Sequence, residues 1–173
     1  MKYSLEKPSM KWKGSYLSLV DDFKSRQEKL VPFVLKFPTE DFEAFLKSFD
    51  AYERGEEIPE TMVPHVTYWL IVNDEVVGVS NLRLHLNDNL LICGGHIGYG
   101  VKPSAREKGY ATLMLRETLK KAKARGINKC LLTCDKVNLA SARTIQKNGG
   151  VLDSEELLED SGEVIQRYWI ENT

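Results

Sequence analysis

The chain has 173 residues, and 24 lysines and arginines against 25 aspartates and glutamates give it a formal net charge of −1. This length fits one domain with a full hydrophobic core, and the balanced charge excludes a broad electrostatic surface for nucleic acid or an anionic membrane. No apolar run approaches the ~20 residues that span a bilayer, and residues 1–6 lack a signal-peptide apolar core. We therefore expect a cytoplasmic protein with no nucleic-acid or membrane partner.

Two helices are predicted in the N-terminal third, after a leading arm of about a dozen residues. Residues 16–30 carry apolar side chains at helical spacing with Ser15 as the N-cap, and residues 41–52 repeat the pattern after Thr39. Residues 53–64 are polar and interrupted by glycine and proline, which is typical of a loop.

Strands are predicted next. Residues 66–72 and 76–86 should form a hairpin across the Asn73-Asp74-Glu75 turn, and residues 90–101 should form a long strand interrupted by glycines. In the second strand of the hairpin, Asn81, Arg83 and His85 alternate with leucines, so these three side chains should share one face of the sheet.

The second half alternates helices and strands before a final hairpin. The predicted elements are a helix over 109–125, a strand over 129–134, a helix over 139–147 and strands over 151–157 and 164–170. Cys130 and Cys134 fall on one face of a strand, where buried small hydrophobes are favoured over a reactive thiol. With only three cysteines and three scattered histidines, the sequence predicts neither a disulfide framework nor a metal site.

The most informative stretch joins the long strand to the 109–125 helix. It contains the string Arg-x-x-Gly-x-Ala at residues 106–111, without the glycine spacing of a P-loop or of a dinucleotide fold. Free backbone N–H groups and the positive end of the helix dipole meet there, Gly109 permits close approach, and Arg106 and Lys108 add charge. This arrangement predicts a pyrophosphate site, and the alternative is an ordinary turn with a solvated basic loop.

These motifs resemble the GCN5-related N-acetyltransferase (GNAT) family, which carries Gln/Arg-x-x-Gly-x-Gly/Ala on such a strand–loop–helix. The segment from Asn138 to Gly150 resembles the family's Asn-x-x-Ala/Ser-x-x-x-Tyr/Phe-x-x-x-Gly-Phe element, with Asn138, Ser141 and Gly149 matching. The resemblance implies an α/β (mixed α+β) fold, with a mostly antiparallel mixed sheet, splayed central strands and about four helices. A single domain over 1–173 follows, with a core at about 66–170 and N-terminal helices at about 15–52 that cover the acceptor side.

The resemblance also implies acetyl-CoA as cosubstrate, no metal, and a set of site residues. The pyrophosphate would meet the amides of Arg106, Glu107, Lys108, Gly109, Tyr110, Ala111 and Thr112. The pantetheine arm would pair with the backbone at Tyr99 and Val101 and contact the Asn138 amide. Ile145 replaces the tyrosine that often protonates the departing thiolate, so this helix lacks a hydroxyl donor.

Catalytic groups are less defined by the sequence. His96, two residues before Gly98, is a candidate base, although a core histidine is the alternative. Water, or a tyrosine such as Tyr99 or Tyr168, could replace the missing acid. Asn81, Arg83 and His85 either line the acceptor pocket or pair on the surface.

The resulting interpretation is an N-acetyltransferase that moves the acetyl group directly to a primary amine of a small molecule or peptide in a ternary complex. The alternative is a catalytically weak acyl-CoA-binding regulatory domain on the same fold, and a different acyl donor or an O-linked acceptor is a third possibility. A homodimer is left open.

Overall fold

The computed structural model describes residues 1–172. Its seven strands and five α-helices alternate along the chain as β1 (Tyr3–Glu6), α1 (Lys13–Ser25), α2 (Phe42–Glu53), β2 (His65–Val72), β3 (Glu75–Arg83), α3 (Asp88–Ile92), β4 (Ile97–Val101), α4 (Tyr110–Ala124), β5 (Lys129–Asp135), α5 (Leu139–Lys147), β6 (Val151–Leu157) and β7 (Val164–Glu171). Short 3₁₀ turns lie at Met10–Trp12, Phe33–Lys36 and Pro103–Ala105. The predicted mixed α/β class is confirmed.

The strands form two antiparallel sheets that part between β4 and β5. One sheet has the order β1-β2-β3-β4 and the other β5-β7-β6. They meet where Gly95 bridges Leu132 and where the His96 N–H donates to the Leu131 carbonyl at 2.7 Å. Beyond that point β4 and β5 belong to separate sheets, so the predicted splay of the central strands is confirmed.

Helices cover both faces of the first sheet, and β2 and β3 are therefore buried on both sides. On one face α1 and α2 pack around Trp69, whose ring stacks on Tyr16 with 4.4 Å between centroids. On the other face α4 packs Met114 and Leu113 against Leu70, Val72 and Val77. Alternation along β2 therefore sends apolar side chains into two separate cores.

Several N-terminal predictions are wrong in detail. The leading arm contains β1, which pairs with β2 at the edge of the first sheet. Helix α1 begins at Lys13, and the Ser15 hydroxyl does not cap it but accepts the N–H of Val76 at 2.8 Å. Helix α2 is capped by Asp41, which accepts the Ala44 N–H, and not by Thr39.

The region around the predicted long strand also differs from expectation. Strand β3 ends at Arg83, and the Asn87 side chain then caps the short helix α3 where the sequence predicts strand. Strand β4 consequently begins only at Ile97. The helices and strands predicted after residue 108 are confirmed to within two residues. Cys130 and Cys134 are both buried, as expected.

Within residues 1–172, no helix combines the length and apolar composition needed to cross a membrane.

Strand β4 tolerates no side chain where the connection between α1 and α2 crosses it. A Cβ added at Gly100 would lie 1.9 Å from the Val31 carbonyl oxygen, whereas one at Gly14, on the exposed surface of α1, would meet nothing within 4 Å. We expect Gly100→Ala to lower the free energy of unfolding by about 3 kcal/mol through overpacking. Gly14→Ala, the control, should raise it by about 0.5 kcal/mol because alanine favours helix. Urea unfolding measures both, and equal stabilities would contradict the close approach.

Candidate active site

The gap between β4 and β5 exposes one edge of β4. The Arg83 N–H donates to the His96 carbonyl at 2.7 Å, and the Lys102 N–H donates to the Val77 carbonyl at 2.8 Å. In an antiparallel pair alternate residues bond to the partner, so Gly98 and Gly100 also face β3, whereas Ile97, Tyr99 and Val101 direct their backbone groups the other way, into the gap. Tyr99 and Val101, the predicted pantetheine partners, are among them.

The loop after β4 presents a run of unpaired donors. The backbone at Glu107 and Gly109 is left-handed, with φ of 64° and 79°. For the six N–H groups from Glu107 to Thr112, no hydrogen-bond acceptor is found within residues 1–172, and the last three are the first turn of α4. Successive free amides at a helix N-terminus form an anion site, and this is the location predicted for pyrophosphate.

The basic side chains of this loop are not placed as predicted. The Arg106 guanidinium is paired with Glu28, with nitrogen–oxygen distances of 3.1 and 2.6 Å, and it lies over the Phe23 ring. Lys108 is exposed and forms no ion pair within the described residues. Lys108 is therefore the free cationic side chain of the loop, and Arg106 fixes the loop instead.

A second carboxylate holds the same loop to α1. Asp22 accepts the Ser104 N–H at 2.8 Å, and this bond is the main cause that lowers the pKa of Asp22 to about 2. Asp22 and Glu28, on α1 and just after it, thus fasten the loop at two points. Neither is evident from the sequence, because nothing in α1 alone indicates which loop it contacts.

Across the gap, the N-terminus of α5 approaches β4. The Asn138 side-chain oxygen accepts the Ser141 N–H at 3.1 Å, which leaves the amide nitrogen of Asn138 without a partner among the described residues. The Tyr99 hydroxyl lies 2.9 Å from the Ser141 hydroxyl, and burial raises the pKa of Tyr99 to about 12. Tyr99 therefore places a protonated hydroxyl beside α5.

The other two residues considered for the acid are enclosed. Ile145 is fully buried in the core formed by α4, α5 and the second sheet. Tyr168 packs in the same core, and its hydroxyl donates to the Gln166 side chain at 2.8 Å. Burial raises the pKa of Tyr168. Ile145→Tyr would overpack this core. The hydroxyl that lies beside α5 is that of Tyr99, on β4.

The His96 side chain takes part in the hydrogen bonding between β4 and β5. Its Nδ1 accepts the Leu131 N–H at 2.9 Å, which places the ring proton on Nε2. Burial, followed by the charge of Arg83, lowers its pKa to about 4. A neutral imidazole whose one lone pair already accepts a backbone N–H does not support the predicted role as general base.

On the α1–α2 side, a cavity of about 330 Å³ lies at the end of β2 and β3. Arg83 and His65 line it, together with Phe33, Leu90 and residues 61–63. The expectation of surface pairing is wrong for Asn81 and Arg83, which are buried, whereas His85 is exposed beyond the end of β3. His65 has no local signal in the sequence that marks it as functional, although it stands opposite Arg83 in the hairpin.

Comparison with known proteins agrees with this geometry. Residues 18–151 match the model of the acetyltransferase (GNAT) domain family. No curated protein matches the sequence.

Solved structures share the fold at low sequence identity. A GNAT-family acetyltransferase from Streptococcus pneumoniae is 14% identical with a TM-score of 0.67, covering 98% of this chain and 99% of its own. A Salmonella typhimurium acetyltransferase that modifies the N-terminal serine of ribosomal protein L7/L12 is 16% identical with a TM-score of 0.68, covering 99% and 95%. The microcin C7 self-immunity acetyltransferase, solved with acetyl-CoA and AMP, is 16% identical with a TM-score of 0.69, covering 98% and 92%.

The two buried histidines predict how stability responds to acid. Burial lowers the pKa of both His65 and His96 from 6.5 to about 4. Between those values the unfolded chain binds protons that the folded chain does not, so stability falls as pH drops from about 6.5 toward 4. We expect a loss of about 1–3 kcal/mol per histidine in that window. Urea unfolding at several pH values measures it.

His96→Asn is the informative variant for this prediction. An asparagine oxygen can accept the Leu131 N–H in place of Nδ1, so the fold should be retained while the acid-dependent loss becomes smaller. Turnover of the variant between pH 6 and 9 should follow the wild type. Disappearance of an ionisation from that range would instead restore His96 as the base.

Proposed function

This chain belongs to the GNAT family of acetyltransferases, and we propose that it transfers the acetyl group of acetyl-CoA directly to a primary amine in a ternary complex. The observation that carries the proposal is the run of six free N–H groups from Glu107 to Thr112 beside an open edge of β4. The use of acetyl-CoA agrees with the cytoplasmic location expected from the sequence.

The residues present fit acetyl-CoA, which supplies the activated acetyl group. The amides of residues 107–112 would hold the pyrophosphate, with Lys108 adding charge and Arg106 keeping the loop in place against Glu28. The backbone of Tyr99 and the N–H of Val101 would pair with the pantetheine amides, while the Val101 carbonyl accepts Arg106 Nε at 3.3 Å. The free amide nitrogen of Asn138 would donate from the opposite wall. A β4 N–H in the gap would also stabilise the oxyanion that forms on the thioester carbonyl.

The attacking amine must lose its proton before the reaction. Because His96 has no free lone pair in this arrangement, we assign that proton to water and not to an imidazole. The pH dependence of turnover would then follow the ammonium pKa of the acceptor itself and shift when the acceptor is changed.

Tyr99 would assist departure of the thiolate. With its pKa near 12, the hydroxyl keeps its proton and donates a hydrogen bond to the developing negative charge on sulfur. A thiolate of ordinary pKa, about 8.5, leaves without full protonation near neutral pH. The absence of a hydroxyl at Ile145 thus gives little support to the alternative of a regulatory acyl-CoA-binding domain. The position of the Tyr99 hydroxyl supports an active transferase.

A carboxylate placed in the anion site tests whether residues 107–112 bind the pyrophosphate of acetyl-CoA. Ala111→Glu puts a negative charge on the first turn of α4, where it suits the helix dipole but repels a phosphate. We expect CoA to bind at least tenfold more weakly by calorimetry, and wild type to bind CoA in preference to ATP and NAD. Ala124→Glu, the same change at the other end of α4, is the control. Equal CoA affinity in the two variants would contradict the site.

Tyr99→Phe tests the leaving-group contact. Removal of one hydroxyl should lower kcat about tenfold, the scale of a single charge-assisted hydrogen bond, with little change in KM for acetyl-CoA. Release of free thiol from acetyl-CoA with a panel of amines measures it. A loss at Tyr168→Phe instead would move the role to β7, and a wild type that binds CoA but acetylates no amine would favour the regulatory domain.

A further inference from the structure

We propose that the amine acceptor carries a carboxylate, and that Arg83 and His65 bind this group in the cavity at the end of β2 and β3. The proposal rests on the acetyl transfer proposed above and names the class of acceptor that the site takes. It commits to an amine that carries one carboxylate and an apolar body, such as an amino acid.

Arg83 is a buried cation without a counter-ion. Its side chain is only 9% exposed, yet no carboxylate within residues 1–172 forms an ion pair with it. Its Nη1 donates to the carbonyls of Gly94 and Gly95 at 3.0 and 3.4 Å, while Nε and Nη2 have no acceptor among the described residues. The guanidinium lies over the Phe33 ring, 5.5 Å from its centroid, and its two nitrogens without an acceptor remain able to donate to a ligand. The guanidinium fork matches a carboxylate in geometry.

His65 supplies a second donor to the same cavity. Its Nδ1 lies 2.8 Å from the Asn81 amide nitrogen, which therefore donates to it and leaves the ring proton on Nε2. That Nε2 is buried and has no partner within the described chain. The ring itself is held between Tyr52, stacked at 5.1 Å, and Phe33, edge-on at 5.4 Å. His65 thus lines the cavity together with Arg83, and its Nε2–H is a donor without an acceptor.

The charge of the cavity favours one negative charge on its ligand. Arg83 is charged, whereas burial holds the pKa of His65 near 4 and keeps the imidazole neutral. The other titratable groups that sense Arg83 are His96 and Cys93. Neither is charged at neutral pH, because burial lowers the pKa of the imidazole and raises the pKa of the thiol. One guanidinium and one neutral N–H suit a carboxylate better than a dianionic phosphate. A polyamine would meet a like charge.

The remaining walls are mostly apolar. Phe33, Met62, Val63 and Leu90 line the cavity around the two donors. A volume of about 330 Å³ accommodates a small organic body, so an aliphatic side chain would fill the space while its carboxylate meets the donors.

The cavity lies next to the proposed reaction centre. A Cβ at Gly98 would be 3.0 Å from Arg83 Nη2, so the guanidinium lies directly on β4 at that glycine. Tyr99, the next residue, directs its backbone into the donor gap. When the carboxylate of an acceptor binds at Arg83, an amine joined to it by a short spacer can therefore reach the edge of β4.

Three acceptors with one side chain test the proposal, namely L-leucine, L-leucinamide and 3-methylbutylamine. They are assayed with acetyl-CoA by release of free thiol. We expect kcat/KM for leucine to exceed that for either analogue without a carboxylate by about 10- to 100-fold, the scale of a charge-assisted bidentate contact. The amide has the less basic amine and so the larger neutral fraction, which means that amine basicity cannot produce this preference over it.

Substitution of Arg83 separates recognition from structural support. Arg83→Gln should lower kcat/KM for leucine by about 10- to 100-fold more than for 3-methylbutylamine, and Arg83→Lys should restore the preference for leucine only in part. A purely structural arginine, acting through Gly94 and Gly95, would lower kcat/KM for all three acceptors equally. Arg54→Gln, which removes the same charge from an exposed pair with Glu56, is the control and should keep the wild-type preference.

The outcomes are distinguishable even if Arg83→Gln does not fold. Equal wild-type rates with all three acceptors, or a preference for a polyamine such as spermidine, would overturn the carboxylate proposal and leave acetyl transfer standing. Silence with every amine, despite CoA binding, would overturn the transferase on which the proposal rests. A preference for leucine in wild type together with its persistence in Arg83→Lys and Arg83→Gln would place the carboxylate elsewhere.

Discussion

The site depends on the place where hydrogen bonding between β4 and β5 stops. The Leu131 N–H donates to the His96 imidazole and not to a backbone carbonyl, while the His96 N–H still donates to Leu131. A side chain has thus replaced one rung of the ladder, and both strands remain satisfied where they part. Without that replacement a buried N–H would be left unpaired at the opening of the gap, so this imidazole bond makes an open sheet edge compatible with a stable core.

Strand β4 then serves both halves of the site because its two faces differ. On one face Tyr99 and Val101 pack toward α4 and α5, on the side of the predicted donor. On the other face Gly98 and Gly100 carry no side chain, so Arg83 and the Val31 carbonyl approach the backbone closely. Because these two residues lack side chains, groups on the α1–α2 side contact the backbone of β4 directly.

How far the sequence predicts this site depends on whether the signal is local. The loop at residues 106–112 and the cap at Asn138 depend on short-range spacing, so the sequence alone is enough to locate both. The pairing of His65 with Arg83 cannot be located in this way. The turn between β2 and β3 would pair His65 with Leu82, but a bulge at Leu70 and Ile71 shifts the register by one residue. That shift brings Arg83 opposite His65. The attachment of Arg106 to Glu28 is equally inaccessible to sequence reasoning, because it joins residues 78 positions apart.

The attachment of the anion-binding loop to α1 has a thermodynamic consequence. Asp22 and Glu28 hold that loop. The chain then continues past Val31 to Phe33, which lines the proposed acceptor cavity. The two proposed substrate sites therefore share one stretch of backbone, and we expect a ligand that changes the conformation of this stretch at one site to change the affinity of the other site. By reciprocity, the factor by which the donor alters acceptor binding must equal the factor by which the acceptor alters donor binding. The order in which the two substrates arrive is then a question of rates, since the free energy of the ternary complex is the same by either route.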